Sequence, residues 1–380
     1  MKSIFINAVS IREGGPRTVL VKLLTAMHQE RPDLQMCLAA PPAICEELED
    51  AVTACWPVDL GQSPFTVTKW YEIDLARTAR RYDADVVFSL TNYLPNRRLT
   101  LPTLLLEQHA GHFSPTFDRL TREAASSTLG RAAWRYRCGW VRRSVEAATV
   151  LTVQTAVLAD AIAALTRVPR DRIRVIPHGP GWVENRAEIA RAGRSARPLR
   201  LGYITKLGVQ KNFETLFRAV KRLSEWGTNI RLVLTLDPKD SLAIRVFGQA
   251  EATGITHLIE NRREVESHAI AGLYDSLDIF VFPSLCESFG IPMVEAMARG
   301  LCVVIADTPE NREVAGAAAL AFPALDADEL ATMLRRLCDD EELRRKHACM
   351  GLQRAGDFSW AKAAKGTLAA LEAAAARNVS

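Results

Sequence analysis

Short runs that are apolar throughout, rather than at alternate positions, constrain this chain most. In its first half they are Ser3–Ala8, Leu34–Ala39, Asp85–Leu90, Thr103–Glu107, Ala148–Val153 and Ile173–Pro177. Helical stretches lie between most of them, one of them after Gly14-Gly15-Pro16 with Leu20, Leu23, Leu24 and Met27 on one face. A strand in a parallel sheet is covered on both faces, so both sets of its side chains must be apolar. His178-Gly179-Pro180-Gly181 breaks the pattern, and a polar stretch from Glu184 to Pro198 reads as a linker or an exposed short helix. The pattern then restarts at Leu199–Ile204 and continues with Arg231–Leu236, Ile279–Phe282 and Cys302–Ala306. A chain of 380 residues is too long for one core and suits two domains. The expected architecture is α/β, with two doubly wound Rossmann-like domains facing a deep cleft. Their bounds are 1–179 and 198–358, joined by a linker at 180–197, with a C-terminal helix in 359–380 packing back on the N-terminal domain. Sheets of this kind bind ligands beyond the carboxyl ends of their strands.

Composition narrows the function classes. The formal net charge of +4 is too small to argue for nucleic-acid binding. The cysteines at 37, 45, 55, 138, 286, 302, 338 and 349 form no C-x-x-C pair, and most sit in apolar runs. They read as reduced, buried thiols of a cytoplasmic protein. Met1-Lys2-Ser3 leads straight into a strand-like run, unlike a signal peptide. No uncharged apolar run reaches the roughly 18 residues needed to span a bilayer.

The chemistry concentrates in Phe282–Ala296. An apolar run ends at Phe282, a turn carries Glu287, Ser288 and Gly290, and Pro292 stands where a helix would begin. Strand, small-residue turn and helix N-terminus together present free N–H groups to an anion. Glu287 in the turn and Glu295 one turn into the helix would repel a bare phosphate. They make sense if the anion carries hydroxyl-rich groups at both ends, as a nucleotide-sugar does. Upstream, Gly202–Asn212 places Lys206 and Lys211 on a strand-to-helix turn, and Asp307–Gly316 follows downstream.

Together these stretches resemble the retaining, nucleotide-sugar-dependent glycosyltransferases of group 1, family four, which have the GT-B fold. The resemblance spans roughly 200 to 320. It continues more loosely through Phe358-Ser359-Trp360 and, in the first half, through Asn92-Tyr93-Leu94-Pro95, Gln108-His109 and Arg172–Gly179. It implies that Glu295 binds the ribose hydroxyls of the donor and that Glu287 orients the transferred sugar. Amides around Ser288, Phe289 and Gly290 would hold the diphosphate or the sugar. Lys206 and Lys211 would stabilise the departing nucleoside diphosphate as its charge grows. Lys206 stands where the family usually has an arginine, so the charge is kept and the bidentate fork lost. Gly14 and Gly15 would let the backbone approach the donor phosphate or the acceptor. His109, after the strand Thr103–Glu107, would lie near the transferred sugar, with Asn92 and Tyr93 on the acceptor side. Donor base selection would fall around Asn261 to Val265. Each group has a plain alternative: solvated helix-start acids, surface lysines, a tight turn and a loop histidine.

His109 and His112 are three apart, but no further metal ligands lie near them in the sequence. Asp83-Ala84-Asp85 and Asp326-Ala327-Asp328 spell a metal motif of another glycosyltransferase fold without its context, and the second reads as a helix cap. No metal and no cofactor are expected. The stretch 117–143 is basic and aromatic, with Arg119, Arg122, Arg131, Arg135, Arg137, Arg142 and Arg143 beside Trp134, Tyr136 and Trp140. It reads either as a surface resting on anionic lipid at the inner face of the membrane or as a solvated helix face with its aromatics in the core. The expected function is transfer of a sugar, with retention, from a nucleoside-diphosphate sugar to a glycan or lipid-linked acceptor in surface polysaccharide biosynthesis. A non-catalytic nucleotide-sugar-binding scaffold and a GT-B epimerase or phosphorylase are the alternatives.

Overall fold

The apolar runs become strands of two separate parallel sheets in a computed structural model, which describes residues 1–61, 63–97, 99–124, 127–186 and 197–377. The chain divides into two compact units, Met1–Gly179 with Ser359–Ser380, and Pro180–Phe358.

The first unit carries β1 (Ser3–Asn7), β2 (Gln35–Ala40), β3 (Ala54–Pro57), β4 (Val86–Ser89), β5 (Thr103–Leu106), β6 (Val150–Val153) and β7 (Ile173–Val175). They lie in the order β3-β2-β1-β4-β5-β6-β7, and every pairing is parallel. All residues of β1, β4, β5 and β6 are buried, which is why no polar alternation shows in their sequence. The strand order reverses between β1 and β4, and a crevice opens beyond their carboxyl ends at such a point. That end is polar inside. Asn7 donates to Ser89 Oγ at 3.1 Å and accepts from the Trp70 indole at 3.1 Å, while the Tyr71 hydroxyl lies 2.6 Å from Thr91 Oγ1. The helix Trp360–Ala376 belongs to this unit and packs on the helix Gly14–Glu30. Its buried face is almost all alanine and leucine, and Arg31–Glu372 and Lys365–Glu30 close the rim at 3.2 and 3.5 Å.

The second unit carries β8 (Leu199–Tyr203), β9 (Ile230–Leu234), β10 (Ile259–Asn261), β11 (Ile279–Phe282), β12 (Cys302–Ala306) and β13 (Leu320–Phe322). Their order is β10-β9-β8-β11-β12-β13, again all parallel, with the reversal between β8 and β11. Its core joins Phe280, Phe282, Phe217, Leu216, Met293 and Val304, all essentially inaccessible. Side chains of this kind contribute roughly 1.5–3 kcal/mol each when fully buried.

Several expectations change. Three short strands lie outside the runs above, β3, β10 and β13, each a sheet edge of only three or four residues. The cysteines are not all reduced. The helix Pro42–Glu47 returns the chain to β3 alongside β2, bringing Cys45 and Cys55 into a disulfide with Cα atoms 5.8 Å apart. Cys349 is exposed rather than buried. Most of the expected linker at 180–197 lies outside the described residues. The described part is tied down within its unit, where the Arg186 amide donates to Ala298 O at 2.9 Å and its guanidinium meets Asp275 at 2.5 Å. The basic stretch forms two helices, Pro115–Ala124 and Thr128–Ala147. Among the described residues no helix is long and apolar enough to cross a membrane.

Candidate active site

In the second unit, the turns that follow β8 and β11 meet at the strand-order reversal. They are cross-braced before any ligand is considered. The Leu285 amide donates to Gln210 O at 2.9 Å, and the Tyr203 hydroxyl donates to Lys211 O at 3.1 Å. Asn212, in the left-handed region at φ 53°, donates its side-chain amide to Pro283 O and Ala324 O at 3.1 and 2.8 Å. Asn311 is buried and does the same for Ser284 O and Ala306 O, both at 3.1 Å. Two asparagines therefore hold the carbonyls of one turn, which leaves its side chains fixed in place.

Within that frame Lys211 Nζ donates to Glu287 Oε1 at 2.5 Å, and Ser284 Oγ donates to the same oxygen. Both charged side chains are mostly shielded, at 11% and 16% exposure, so water screens the pair far less than a surface bridge. The negative charge of Glu287 reaches further. Together with burial it pushes the Tyr203 hydroxyl well above its ordinary pKa, burial being the larger cause. Burial also raises the carboxyl of Glu310, with Glu287 a lesser contributor.

The helix Ile291–Ala298 starts from Gly290 at φ 81°, a conformation that side chains rarely adopt. Ser288, Phe289 and Gly290 thus form the entry to a helix N-terminus, and the Phe289 ring is anchored edge-on to Phe358 at 5.3 Å. Glu295 is buried inside this helix rather than presented at its surface. Its Oε1 accepts from the Trp182 amide and its Oε2 from the Tyr274 hydroxyl, both at 2.8 Å. Burial and the Glu295 charge push the Tyr274 hydroxyl well above its ordinary pKa, so it remains a donor. A Cβ on Gly181 would stand 2.3 Å from Glu295 Oε1, so the chain passes the carboxylate closely only because residue 181 is glycine.

Lys206, on the turn after β8, reaches toward the turn after β10. Its Nζ donates to Glu264 Oε1 at 2.5 Å, and both side chains are more than half exposed. The turn after β10 that holds Glu264 is braced by Asn261, which accepts from the Leu236 amide and donates to Leu236 O.

In the first unit, Gly14, at φ 69°, opens the helix Gly14–Glu30, and a Cβ on Gly15 would meet nothing within 4 Å. Asn92, at φ 67°, accepts from the Gln108 amide at 2.7 Å, which fastens the turn after β4 to the turn after β5. Tyr93 packs on Trp140 and Tyr71 with ring centroids 4.8 and 6.1 Å apart. Both are braces of the turn. His109 is half-buried just past β5, its ring 4.5 Å from that of His112. Among the described residues no three His, Cys, Asp or Glu side chains cluster as a metal site would require. Asp326 caps the helix Ala327–Asp339, and Asp85 accepts from the amides of Lys2 and Ser3 at the opposite end of its sheet.

Asn212 and Asn311 lie inside the sequence stretches singled out above, yet their bracing role has no sequence mark. Tyr274 has none at all.

The family described as "Glycosyl transferases group 1" matches residues 185–349. The MMP alpha-(1->4)-mannosyltransferase of Mycolicibacterium hassiacum is 30% identical over 330 residues, covering 82% of this chain and 77% of that protein. The GDP-mannose-dependent alpha-(1-6)-phosphatidylinositol dimannoside mannosyltransferase of Mycobacterium tuberculosis is 29% identical over 174 residues, 45% of this chain and 43% of that one. Among solved structures, sucrose-phosphate synthase from Thermosynechococcus elongatus superimposes with a TM-score of 0.72 at 18% identity, covering 97% of this chain and 98% of its own. With its two parallel sheets in the GT-B manner, the chain belongs to the group 1 glycosyltransferases.

Proposed function

We propose that this glycosyltransferase is a retaining, metal-independent hexosyltransferase. It takes the sugar from a nucleoside-diphosphate donor and passes it to a glycan or lipid-linked acceptor in surface polysaccharide biosynthesis. The observation that carries this reading is the Lys211–Glu287 contact beyond the carboxyl ends of β8 and β11. One cation and one acid lie side by side where a diphosphate and its sugar ring need them. On binding, Lys211 turns to the diphosphate and stabilises its growing charge, and Glu287 accepts from a sugar hydroxyl. Lys206, released from its exposed partner, adds a second cation at the rim. The amides of Ser288, Phe289 and Gly290 meet the donor at the helix N-terminus, and Glu295 takes a ribose hydroxyl. Gly14 and Gly15 offer backbone to the donor. Asn92 and Tyr93 belong to the acceptor side, and His109 is a catalytic residue near the transferred sugar.

A double displacement would need a carboxylate nucleophile, and both acids of the motif serve the donor. The C1–phosphate bond therefore breaks and the C1–acceptor bond forms on the same face, with the leaving phosphate taking the acceptor's proton. The mannosyl transfer named for both curated relatives makes GDP-mannose the first donor to assay. The test is transfer followed by NMR of the product anomer, with and without EDTA. The expected product keeps the donor's configuration at an undiminished rate in EDTA. An inverted product, a rate abolished by EDTA, or a trapped glycosyl-enzyme would sink the reading.

The acceptor side of this proposal includes the cytoplasmic membrane face. Leu129 and Tyr136 are 80% and 61% exposed on the arginine-rich helix Thr128–Ala147, while Trp134 and Trp140 are buried. Exposed apolar side chains among arginines suit an anionic lipid surface. Co-sedimentation with phosphatidylglycerol vesicles but not with phosphatidylcholine vesicles is the expected result. Equal recovery with both would remove membrane contact from the proposal.

A further inference from the structure

Glu107 is the first residue past β5, is fully shielded from solvent and has no part in the donor chemistry above. Its Oε1 accepts the His109 amide proton at 3.1 Å and lies 3.0 Å from His112 Nδ1. Its carbonyl accepts from the Gln154 side chain at 3.0 Å, which fixes it to the end of β6. Its Oε2 is buried without a hydrogen-bond partner. Trp134 stacks on the His112 ring at 5.6 Å, and Phe117 meets His109 edge-on at 5.0 Å. The cluster thus runs from a wholly buried acid, through a buried imidazole, to a half-buried one at the end of the sheet.

A carboxyl is a costly choice at this position. Glutamine has nearly the same shape and could make the same two contacts without an ionisable group to desolvate. What glutamate adds is a proton that it can hold or release. We propose that Glu107 is a positioning residue for glycosyl transfer, setting the tautomer and orientation of the His112–His109 pair at the end of β5. The inference rests on the placement of His109 beside the transferred sugar.

Burial raises the Glu107 carboxyl to about 8 and lowers His112 to about 3, so both are uncharged at neutral pH. A neutral Glu107 donates its O–H to His112 Nδ1, and the ring's own proton then sits on Nε2. When Glu107 loses its proton to solvent it becomes an acceptor only, and the ring proton moves to Nδ1. Among the described residues, further ionisable groups at the cluster are Arg137 on the helix Thr128–Ala147, Asp118 on the helix Pro115–Ala124, and Tyr93 after β4. Asp118 is engaged by the Trp134 indole at 3.1 Å, and the charge of Arg137 further favours a neutral His112.

The experiment pairs two readouts on Glu107→Gln, Glu107→Asp and the parent chain. The first is the kcat–pH profile of sugar transfer with the donor KM. The second is nitrogen NMR of the histidine rings from pH 6 to 9 without substrate. In Glu107→Gln, kcat should fall on the order of 10- to 100-fold with the donor KM nearly unchanged. The parent's alkaline limb near pH 8 and its His112 tautomer change at the same pH should both vanish. Glu107→Asp, which keeps the acid, should retain both. A Glu107→Gln profile that superimposes on the parent, or loses activity only in proportion to the unfolded fraction, overturns the inference, as does a His112 ring that keeps one tautomer throughout. A parent chain that transfers no sugar from any donor defeats the underlying reading instead, and the ring NMR tells the two failures apart.

Discussion

At the scale of single residues, the informative feature is that each acid of the motif is already satisfied by the protein. Glu287 holds Lys211 and Ser284, and Glu295 holds Tyr274 and the Trp182 amide. Glu287→Gln should lower kcat on the order of 10²- to 10³-fold with a smaller change in donor binding, because its contribution grows with the charge of the transition state. Lys211→Ala should do the same, and the double variant should cost less than the sum, since the two side chains share one contact. Steady-state kinetics on the three variants check this, and strict additivity would argue against a shared role. Glu295 differs because it also holds the fold. Tyr274→Phe leaves a buried carboxylate oxygen without that donor, which should cost about 1–3 kcal/mol by denaturant unfolding and raise the donor KM.

At the scale of elements, the site depends on where two turns are pinned and on how one helix begins. Gly290 must adopt φ 81° at the start of the helix Ile291–Ala298, and a Cβ there would press Met293 and Phe282 at 3.3 Å. Gly290→Ala should therefore destabilise by roughly 1–3 kcal/mol and displace the 288–290 amides. Thermal melts with and without donor measure it. A variant with parental stability and parental donor binding would show that this helix start is not part of the site. The inner strands were legible in the sequence because burial on both faces writes itself as a continuous apolar run. The edges β3, β10 and β13 were not, since three or four residues are too few to set a strand apart from a turn or a helix end.

At the scale of the whole molecule, buried ionisable groups should shape stability against pH. His178, buried against Trp360, has its pKa lowered by burial from 6.5 to about 3. Below pH 6.5 the unfolded chain takes up a proton that the folded chain refuses, so stability falls as pH drops from 6.5 toward 3. Glu107 acts in the opposite sense. Its pKa is raised from 4.5 to about 8, so the folded chain keeps a proton that the unfolded chain loses, and stability falls as pH rises from 4.5 to 8. Each slope is at most about 1.4 kcal/mol per pH unit. From pH 4.5 to 6.5 these two slopes oppose each other. His112, likewise lowered by burial to about 3, adds a second rise with pH, so melting temperature should peak near pH 6.5. Glu107→Gln should flatten the decline on the alkaline side, and His178→Gln should flatten part of the decline on the acid side. Unchanged slopes in both variants would mean that these groups titrate normally in the folded chain.

The sequence by itself determined the two doubly wound sheets, the motif of two acids and two lysines, and the group to which the chain belongs. Those properties are local, since a parallel strand, a turn and a helix start each leave their mark within a few residues. Only the tertiary structure decided what the marked residues touch. It paired Lys206 with Glu264, and it set Glu295 against a backbone amide 113 residues away. It joined Cys45 to Cys55, and it buried Glu107 under two imidazoles and a tryptophan. Contacts between residues distant along the chain carry no periodicity, and the ionisation of a buried group depends on the surroundings that only the folded chain supplies.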